Sequence, residues 1–416
     1  MIKLLQERFD RSLSLVVLTL SACGVLVLYS AGQTDVPSAA ALVWERQLLW
    51  LALGILAAVL VQRVSPRLLE WAAPALYAVG IVVLLVTLVV GTGGGTAASS
   101  KSWIAVGGQR IGQPSEFVKL AVVLMLARFL AGRREPPASL RELLLPVLIA
   151  AVPAGLVAIQ PDLGSAIVFA GILFAMLYWG GVPVSFLVLL ASPVVSLLLA
   201  FSPWTWGAWI FLIGGLIVVW RPYVWEGLAV LGANVGMGII ALPLWERLAT
   251  YQQNRFLSFL NPELDARATG WHIIQSKIAI GSGGWLGQGF TQGTQKRLAF
   301  LPAQHTDFVF SVVGEELGLV GVLVALALFF ALLAILIRIA RRAPEPFGSL
   351  VVFGVVGLLF AHIFENVGMT ANVMPITGIP LPFFSSGGSF LLACFVAIGL
   401  AMRVAREGRD MGYREI

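Results

Sequence analysis

Cysteine and histidine are nearly missing from this chain: there are two and three of them in 416 residues. Cys23 and Cys394 each sit inside an apolar run, which excludes a disulfide framework and a thiolate metal cluster. Three widely separated histidines exclude a zinc site made by protein alone. Charge is scarce as well. Only 12% of residues are Asp, Glu, Lys or Arg, about half the share usual in a soluble domain. No G-x-x-x-x-G-K-[ST], no G-x-G-x-x-G after a strand and no H-E-x-x-H occurs, so the nucleotide-cradling and zinc-hydrolase motifs are absent. The formal net charge is +6, yet the basic residues are spread along the chain rather than gathered on one domain. Nucleic acid is therefore not the implied partner.

What fills the space is hydrophobic sequence, 59% of the chain. The first apolar run, after Lys3, Arg8 and Arg11, looks like a secretory signal, but no small-x-small cleavage site fits and further runs follow at once. It reads as a retained helix. Only closed backbone hydrogen bonding survives in hydrocarbon, so apolar runs of this length are spanning helices. They fall near 13–30, 44–61, 69–90, 117–130, 143–159, 163–179, 182–199, 206–219, 224–243, 308–337, 350–368 and 384–404. The fold class is an all-α polytopic bundle of about twelve spans. The fourth run is short and begins a turn earlier, at Ser115.

The charges support this map independently. With the N-terminus inside, the inner face receives 17 of the 27 basic residues, from Lys3, Arg8 and Arg11 to Arg403, Arg406, Arg409 and Arg414. That bias follows the positive-inside rule and gives N-in, C-in. Trp44, Trp179, Trp204, Trp206 and Trp220 fall near span ends, as an interfacial belt requires. The chain is one integral membrane domain, 1–416, with two outward loops. The first, 91–115, is Gly- and Ser-rich. The second, 244–306, is far too long for a turn, and it keeps Arg247, Arg255, Arg267, Lys277, Lys296 and Arg297 against the topological bias. Within it Trp271, Ile274 and Ile278 share a helical face suited to the membrane interface, and the glycines from Gly281 to Gly289 end that helix.

Ionisable groups inside or at the rim of a span are the default functional candidates. Gln113-Pro-Ser-Glu-Phe-Val-Lys119 marks a helix start with Glu116 and Lys119 close enough to pair, either as a structural ion pair or as part of a substrate cavity. Asp162 lies at a break between two spans, where it caps the next helix or lines the same cavity. In the stretch from Leu301 to Glu316, Thr306 is placed to cap a helix. Asp307 then falls in the first turn, where the helix dipole keeps it ionised, and Glu315 lies about two turns deeper on nearly the same face. Capping explains neither His305 nor the intramembrane Glu315 and Glu316. His362, Glu365 and Asn366 recur at helical spacing in an apolar helix and face the bundle interior. The Pro- and Gly-rich stretch from Pro375 to Ser389 is a re-entrant or broken segment.

These stretches resemble the SEDS family, the rod-shape, division and sporulation membrane proteins that polymerise peptidoglycan. The likeness rests on Ser102-Trp-Ile-Ala-Val-Gly107, Gln113-Pro-Ser-Glu-Phe-Val-Lys119, Gln160-Pro-Asp-Leu-Gly164 and Arg255-Phe-Leu-Ser-Phe-Leu-Asn-Pro-Glu263. It continues in Gln275-Ser-Lys-Ile-Ala-Ile-Gly-Ser-Gly-Gly284, Gly293-Thr-Gln295, Phe300-Leu-Pro-Ala-Gln-His-Thr-Asp-Phe308, Gly314-Glu-Glu-Leu-Gly318 and Pro380-Leu-Pro-Phe-Phe-Ser-Ser-Gly-Gly-Ser389. Asn366-Val-Gly-Met369 and Gly270-Trp-His-Ile-Ile-Gln-Ser-Lys277 are more similar to the elongation branch (RodA) than to the division branch (FtsW). The family usually has ten spans, so 182–243 holds an apparent extra helix pair. Ser386 stands where the family usually has Tyr, which speaks against an essential phenol there.

The resemblance implies a peptidoglycan glycosyltransferase in the bacterial cytoplasmic membrane. It would polymerise lipid II by inverting glycosyl transfer at the outer face during elongation. Asp307 matches the family's essential loop aspartate and would act as a base or as a carboxylate engaging substrate or ion. Glu116, Lys119, Asp162, Arg255, Lys277, His305, Glu315, His362 and Glu365 are the supporting or cavity residues. The leaving diphosphate needs positive charge, from Lys119, loop arginines or a divalent cation such as Mg2+ or Mn2+, with no metal ligands identified. The implied partners are a class B penicillin-binding protein and the elongation machinery. A lipid II flippase with the same cavity and no chemistry is the alternative. A scaffold that only recruits the transpeptidase has no need of so many rim and intramembrane charges.

The topology is open to direct measurement. A cysteine placed at Gln292 should be labelled from outside the cell by a membrane-impermeant reagent; labelling only after lysis would overturn the map.

Overall fold

The computed structural model describes residues 10–38, 40–93, 101–106, 109–248, 250–261, 269–301 and 303–412. The inward basic residues Lys3, Arg8 and Arg414, the loop residue Arg267, and Gly107, Pro262, Glu263 and Pro302 of the motifs above lie outside them. Helices α1 (Arg11–Gly32), α2 (Val43–Val61) and α3 (Pro66–Val90) lead to a small antiparallel ribbon, β1 (Ile104–Val106) and β2 (Gln109–Gly112). Then come α4 (Pro114–Ala131), α5 (Leu140–Ile159), α6 (Leu163–Trp179), α7 (Val184–Leu199), α8 (Pro203–Trp220) and α9 (Val224–Arg247). The long loop carries α10 (Thr250–Leu260), α11 (Thr269–Ser282) and the single turn α12 (Thr294–Arg297). Helices α13 (Val309–Arg341), α14 (Pro346–Thr370) and α15 (Gly388–Gly412) complete the chain.

Each of the twelve expected spans corresponds to one helix. Nine of the described helices are long and apolar enough to cross a membrane, and α6 and α7 are shorter apolar ones. The remaining span, α4, begins at Pro114 as its motif predicts and carries Glu116, Lys119 and Arg128 in an otherwise apolar run. Helix starts follow local side-chain chemistry: Asp10, Ser65, Ser139 and Asp162 each accept the backbone N–H three residues on.

Helix α14 is the hub, packed by α4, α6, α13 and α15. In lipid there is little hydrophobic drive between helices, so close approach of small side chains has to supply the attraction. Gly171 and Ala175 on α6 meet Gly357 and Ala361 on α14, one small pair at i, i+4 against another. A Cβ on Gly357 would come within 2.6 Å of the Ala175 Cβ. A buried hydroxyl joint then ties the loop to this hub. The Ser276 hydroxyl donates to the Thr370 carbonyl (2.8 Å) and lies 2.7 Å from the Ser311 hydroxyl.

Two expectations are corrected. The run 308–337 is not one continuous helix: α13 breaks at Gly318 (φ 62°, ψ −162°), which leaves a short half, 309–317, and a long half, 319–341. The long half spans about 34 Å at helical rise and crosses alone. A finger at 283–289 fills the break. The carbonyls of Gly284 and Trp285 accept the N–H groups of Leu319 and Val320, while Gln288 and Gly289 donate to the carbonyls of Glu315 and Glu316. Only glycine could be read from sequence there, and a lone glycine in an apolar run looks helical. Second, the last span starts at Gly388, not at residue 384, because 380–387 belongs to the irregular segment. The region 182–243, expected to hold an extra helix pair, forms three helices as its three apolar runs predict. Helices α7, α8 and α9 pack chiefly on one another around Leu189, Ile213 and Val230 and join the bundle through α5 and α6.

That three-helix unit is riveted by a polar cluster that sequence reading missed. Buried Asn234 donates to the Ser192 hydroxyl (2.7 Å) and the Val230 carbonyl (2.9 Å), and accepts from the Trp209 indole (3.1 Å). Ser196 donates to the Asn234 carbonyl (2.7 Å) and accepts from Trp206 (2.9 Å). Asn234→Leu should cost about 1–2 kcal/mol of reversible unfolding stability in mixed micelles. Unchanged stability would show that the cluster contributes nothing net.

Candidate active site

Asp307 lies in a turn, residues 303–308, immediately before α13. The expected cap is absent: α13 starts at Val309 with Phe308 at its cap position and no side-chain cap bond, while the Thr306 hydroxyl donates to the Ala303 carbonyl (3.3 Å). Asp307 is therefore one step outside the helix, and its ionisation is not secured by a first-turn position. It is half-buried. Burial pushes its carboxyl above the ordinary carboxylate range. The Thr306 hydroxyl and the Arg255 charge oppose that, and Asp162 adds to it.

What holds the turn is the irregular segment 371–387, which contains most of the stretch expected to be re-entrant or broken, together with Asn366 of α14. The Ser386 N–H donates to the His305 carbonyl (2.9 Å), the Ser385 hydroxyl to the Thr306 carbonyl (2.5 Å) and the Asn366 amide to the Asp307 carbonyl (2.9 Å). Gly378, at φ 77°, faces the Asp307 carboxylate, and a Cβ there would sit 3.5 Å from Oδ2. His305 is half-buried, and burial holds its imidazole below the ordinary range.

Beneath the segment lies a buried charge chain. Lys119 Nζ donates to Glu116 Oε1 (2.8 Å) and lies 3.1 Å from His362 Nε2; His362 Nδ1 lies 3.2 Å from the Pro380 carbonyl. With Lys119 donating, His362 takes the tautomer with its proton on Nδ1, pointing at Pro380. Glu365 is buried within the field of Lys119. Of the two roles considered for Asp162, the structure shows the cap. One oxygen caps α6 at the Ser165 N–H (3.1 Å), and the other accepts the Gln113 amide (2.8 Å).

Asp307, Asp162, Glu116, Lys119, His362 and Glu365 thus lie around one segment, with Arg255 tied to Asp307 by its charge. Two predicted residues do not. Lys277 is exposed on α11. Glu315 turns away from Asp307: its carboxylate accepts the N–H groups of Gln295 (2.7 Å) and Lys296 (3.3 Å), which fixes α12. With Asp307 outside the helix the expected shared helical face does not exist, and the break at Gly318 brings the loop onto Glu315. The loop's basic residues also find their reason here. Fully buried Lys296 pairs with Glu316 (2.7 Å) and reaches the Ser30 carbonyl (2.9 Å), and Arg297 pairs with Asp35 (2.9 Å). Trp271 and Ile278 are exposed and Ile274 half-buried, in keeping with an apolar face on α11. Sequence reading missed Ser385, Gln113 and Lys296 as site-building residues, because a hydroxyl, an amide and a loop lysine carry no signal until their partners are known. Among the described residues no group of three or more His, Cys, Asp or Glu is arranged to hold a metal.

A multi-helix membrane bundle with a pinned carboxylate at one rim and a buried charge chain behind it defines a membrane-embedded enzyme class. The chain belongs to the FtsW, RodA and SpoVE family, described as "Cell cycle protein", which matches residues 10–210 and 205–410. It is 36% identical to the peptidoglycan glycosyltransferase MrdB of Escherichia coli K12 over 95% of this chain and 93% of that protein. It is 33% identical to the peptidoglycan glycosyltransferase RodA of Treponema pallidum over 95% and 97%. A solved structure of a peptidoglycan synthase complex that coordinates polymerization and crosslinking overlays with a TM-score of 0.71. Identity there is 32%, covering 96% of this chain and 98% of that one.

The charge chain makes a stability prediction. Lys119→Met leaves the Glu116 carboxylate buried without its partner and should cost about 3–5 kcal/mol, while adding Glu116→Gln should restore most of it. Thermal melting of the detergent-solubilised single and double variants measures this, and equal melting of the two would contradict it.

Proposed function

We propose that this chain is a RodA-type peptidoglycan glycosyltransferase of the bacterial cytoplasmic membrane, polymerising lipid II at the outer face. The observation that carries the reading is the pinned, half-buried Asp307. Nearby an apolar groove of about 550 Å³ runs from Val64 and Leu69 along α3, α4 and α15 to Gln113, whose amide holds Asp162. A lipid chain suits the groove, and the sugar and diphosphate of the same molecule would then lie among the charged groups. The loops 91–115 and 244–306 belong outside in this reading.

In the reaction, the acceptor hydroxyl attacks the donor's anomeric carbon. The C–O bond to the diphosphate breaks with inversion, and the diphosphate leaves with the electron pair. The hydroxyl proton passes to Asp307, which must be ionised to take it. Arg255, whose charge acts on Asp307, is the proposed cation for the departing diphosphate, and Lys119 would contribute only through its field, because it is buried in its pair with Glu116. A class B penicillin-binding protein is the proposed partner. The similarity to a complex that coordinates polymerization with crosslinking supports it. Relatives named as glycosyltransferases favour the enzyme over the flippase.

With lipid II supplied in accessible form, the purified chain should make polymer, and Asp307→Asn should lower the rate at least about 100-fold. Retention of more than about a tenth of the parent rate would remove Asp307 from the chemistry. Movement of lipid II without polymer would favour the flippase.

The pH dependence has a defined sign. A carboxyl raised by burial loses its charge as pH falls through that raised value, so the acidic limb of the rate should lie above the ordinary aspartate range. The ionised form costs stability above the unfolded pKa, and the cost is relieved as pH falls through the folded one. Asp307→Asn should therefore melt no lower than the parent at neutral pH. A lower melting temperature would mean that the carboxylate stabilises the turn.

A further inference from the structure

The turn before α13 accepts three hydrogen bonds on three successive carbonyls, and every donor comes from the last two spans or the segment between them. Two donors are side chains. Asn366 is fully buried and uses both amide hydrogens on main chain, one on the Asp307 carbonyl (2.9 Å) and one on the Ile379 carbonyl (2.7 Å). Ser385 is 1% exposed; its hydroxyl donates to the Thr306 carbonyl (2.5 Å) and accepts the Leu381 N–H (2.8 Å). The Ser385 carbonyl is held in turn by the Gln47 amide of α2 (3.2 Å). Both carbonyls belong to peptides at Asp307, the Thr306 carbonyl just before it and its own just after. Fixing the two peptide planes fixes the direction of the Cα–Cβ bond between them. Opposite the carboxylate stands Gly378, with no side chain to crowd it.

We infer that Asn366 and Ser385 are positioning residues for glycosyl transfer, holding the peptides on either side of Asp307 so that its carboxylate keeps its half-buried seat against Gly378. The inference rests on Asp307 carrying the reaction. Neither side chain touches substrate. Each acts on the main chain of the residue that does.

The consequence is specific. Ser385→Ala removes one oxygen and frees the Thr306 peptide, and Asn366→Ala frees the peptide after Asp307. Misplacement of a reacting group by about 1 Å costs on the order of 100-fold, so kcat should fall about 10- to 100-fold while KM for lipid II changes little. The freed carboxylate also meets more water. The groups facing it are Arg255 from α10, Asp162 at the start of α6 and the Thr306 hydroxyl of its own turn, and these remain. With less burial its pKa falls, and the acidic limb of kcat moves to lower pH even as kcat drops. Partial unfolding would reduce the amount of active enzyme and leave that limb in place.

The test is a double-mutant cycle of lipid II polymerisation with purified protein, with Ser385→Ala introduced into the parent and into Asp307→Asn. A loss of about tenfold or more in the parent, no further loss in the Asp307→Asn background, and a lowered acidic limb would establish the positioning role. An equal loss in both backgrounds, an unmoved limb, or a loss that tracks the melting of the variant would make the clamp a stability element only. Recovery of rate and limb in Ser385→Thr, which keeps the hydroxyl, is expected; Asn366→Ala should repeat the pattern of Ser385→Ala. If Asp307→Asn polymerises at the parent rate, the catalytic reading of Asp307 fails by itself, and that result is separate from the Ser385 comparison.

Discussion

Main-chain polar groups that leave a helix inside a membrane protein must find partners, and in this molecule each irregular segment finds them on another. The break in α13 is closed by the finger at 283–289, whose carbonyls and amides complete the ladder on both sides of Gly318. The segment 371–387 cannot be helical because of its prolines, and it donates to the turn at 303–308. Neither partner could exist alone in hydrocarbon. The same pairing that satisfies the backbone also fixes the place of Asp307, so the site is a by-product of a requirement that applies to every buried N–H and C=O.

The buried charges obey a parallel rule. Lys119 and Lys296 are both fully enclosed, and each has one carboxylate and one or more neutral acceptors. Their roles diverge by location. Lys296 ties the loop to the outer end of α1 and to Glu316, so it secures architecture. Lys119 reaches through His362 to the Pro380 carbonyl and thereby supports the segment that clamps Asp307. Asp307 itself has no such settlement: Arg255 favours its charge, while burial and Asp162 oppose it. A carboxylate held between opposing influences suits the proton transfer proposed for Asp307.

Peripheral packing follows a different logic. Helices α7 to α9 carry large exposed side chains such as Trp204 and Phe211 toward lipid and keep their polar groups for one another at Asn234. None of the gathered site residues comes from this unit. The hub α14 is the reverse case: buried on nearly all sides, it brings His362, Glu365 and Asn366 to the site.

The sequence by itself determined the spans, because hydrophobic length and charge bias are properties of single segments and need no partner. It also determined the pairing of Glu116 with Lys119, which sit one helical turn apart, and the irregularity of the Pro-rich segment, which proline chemistry forces. It pointed to Asp307 through a motif rather than through geometry. Only the tertiary structure decided which groups meet across the chain: Glu315 with the amides of α12 instead of with Asp307's surroundings, Ser385 with Thr306, and the finger with the gap at Gly318. Those outcomes depend on long-range contacts between residues whose local preferences are neutral. A serine donates wherever an acceptor is near, and a glycine breaks a helix only when something else supplies the hydrogen bonds the break releases.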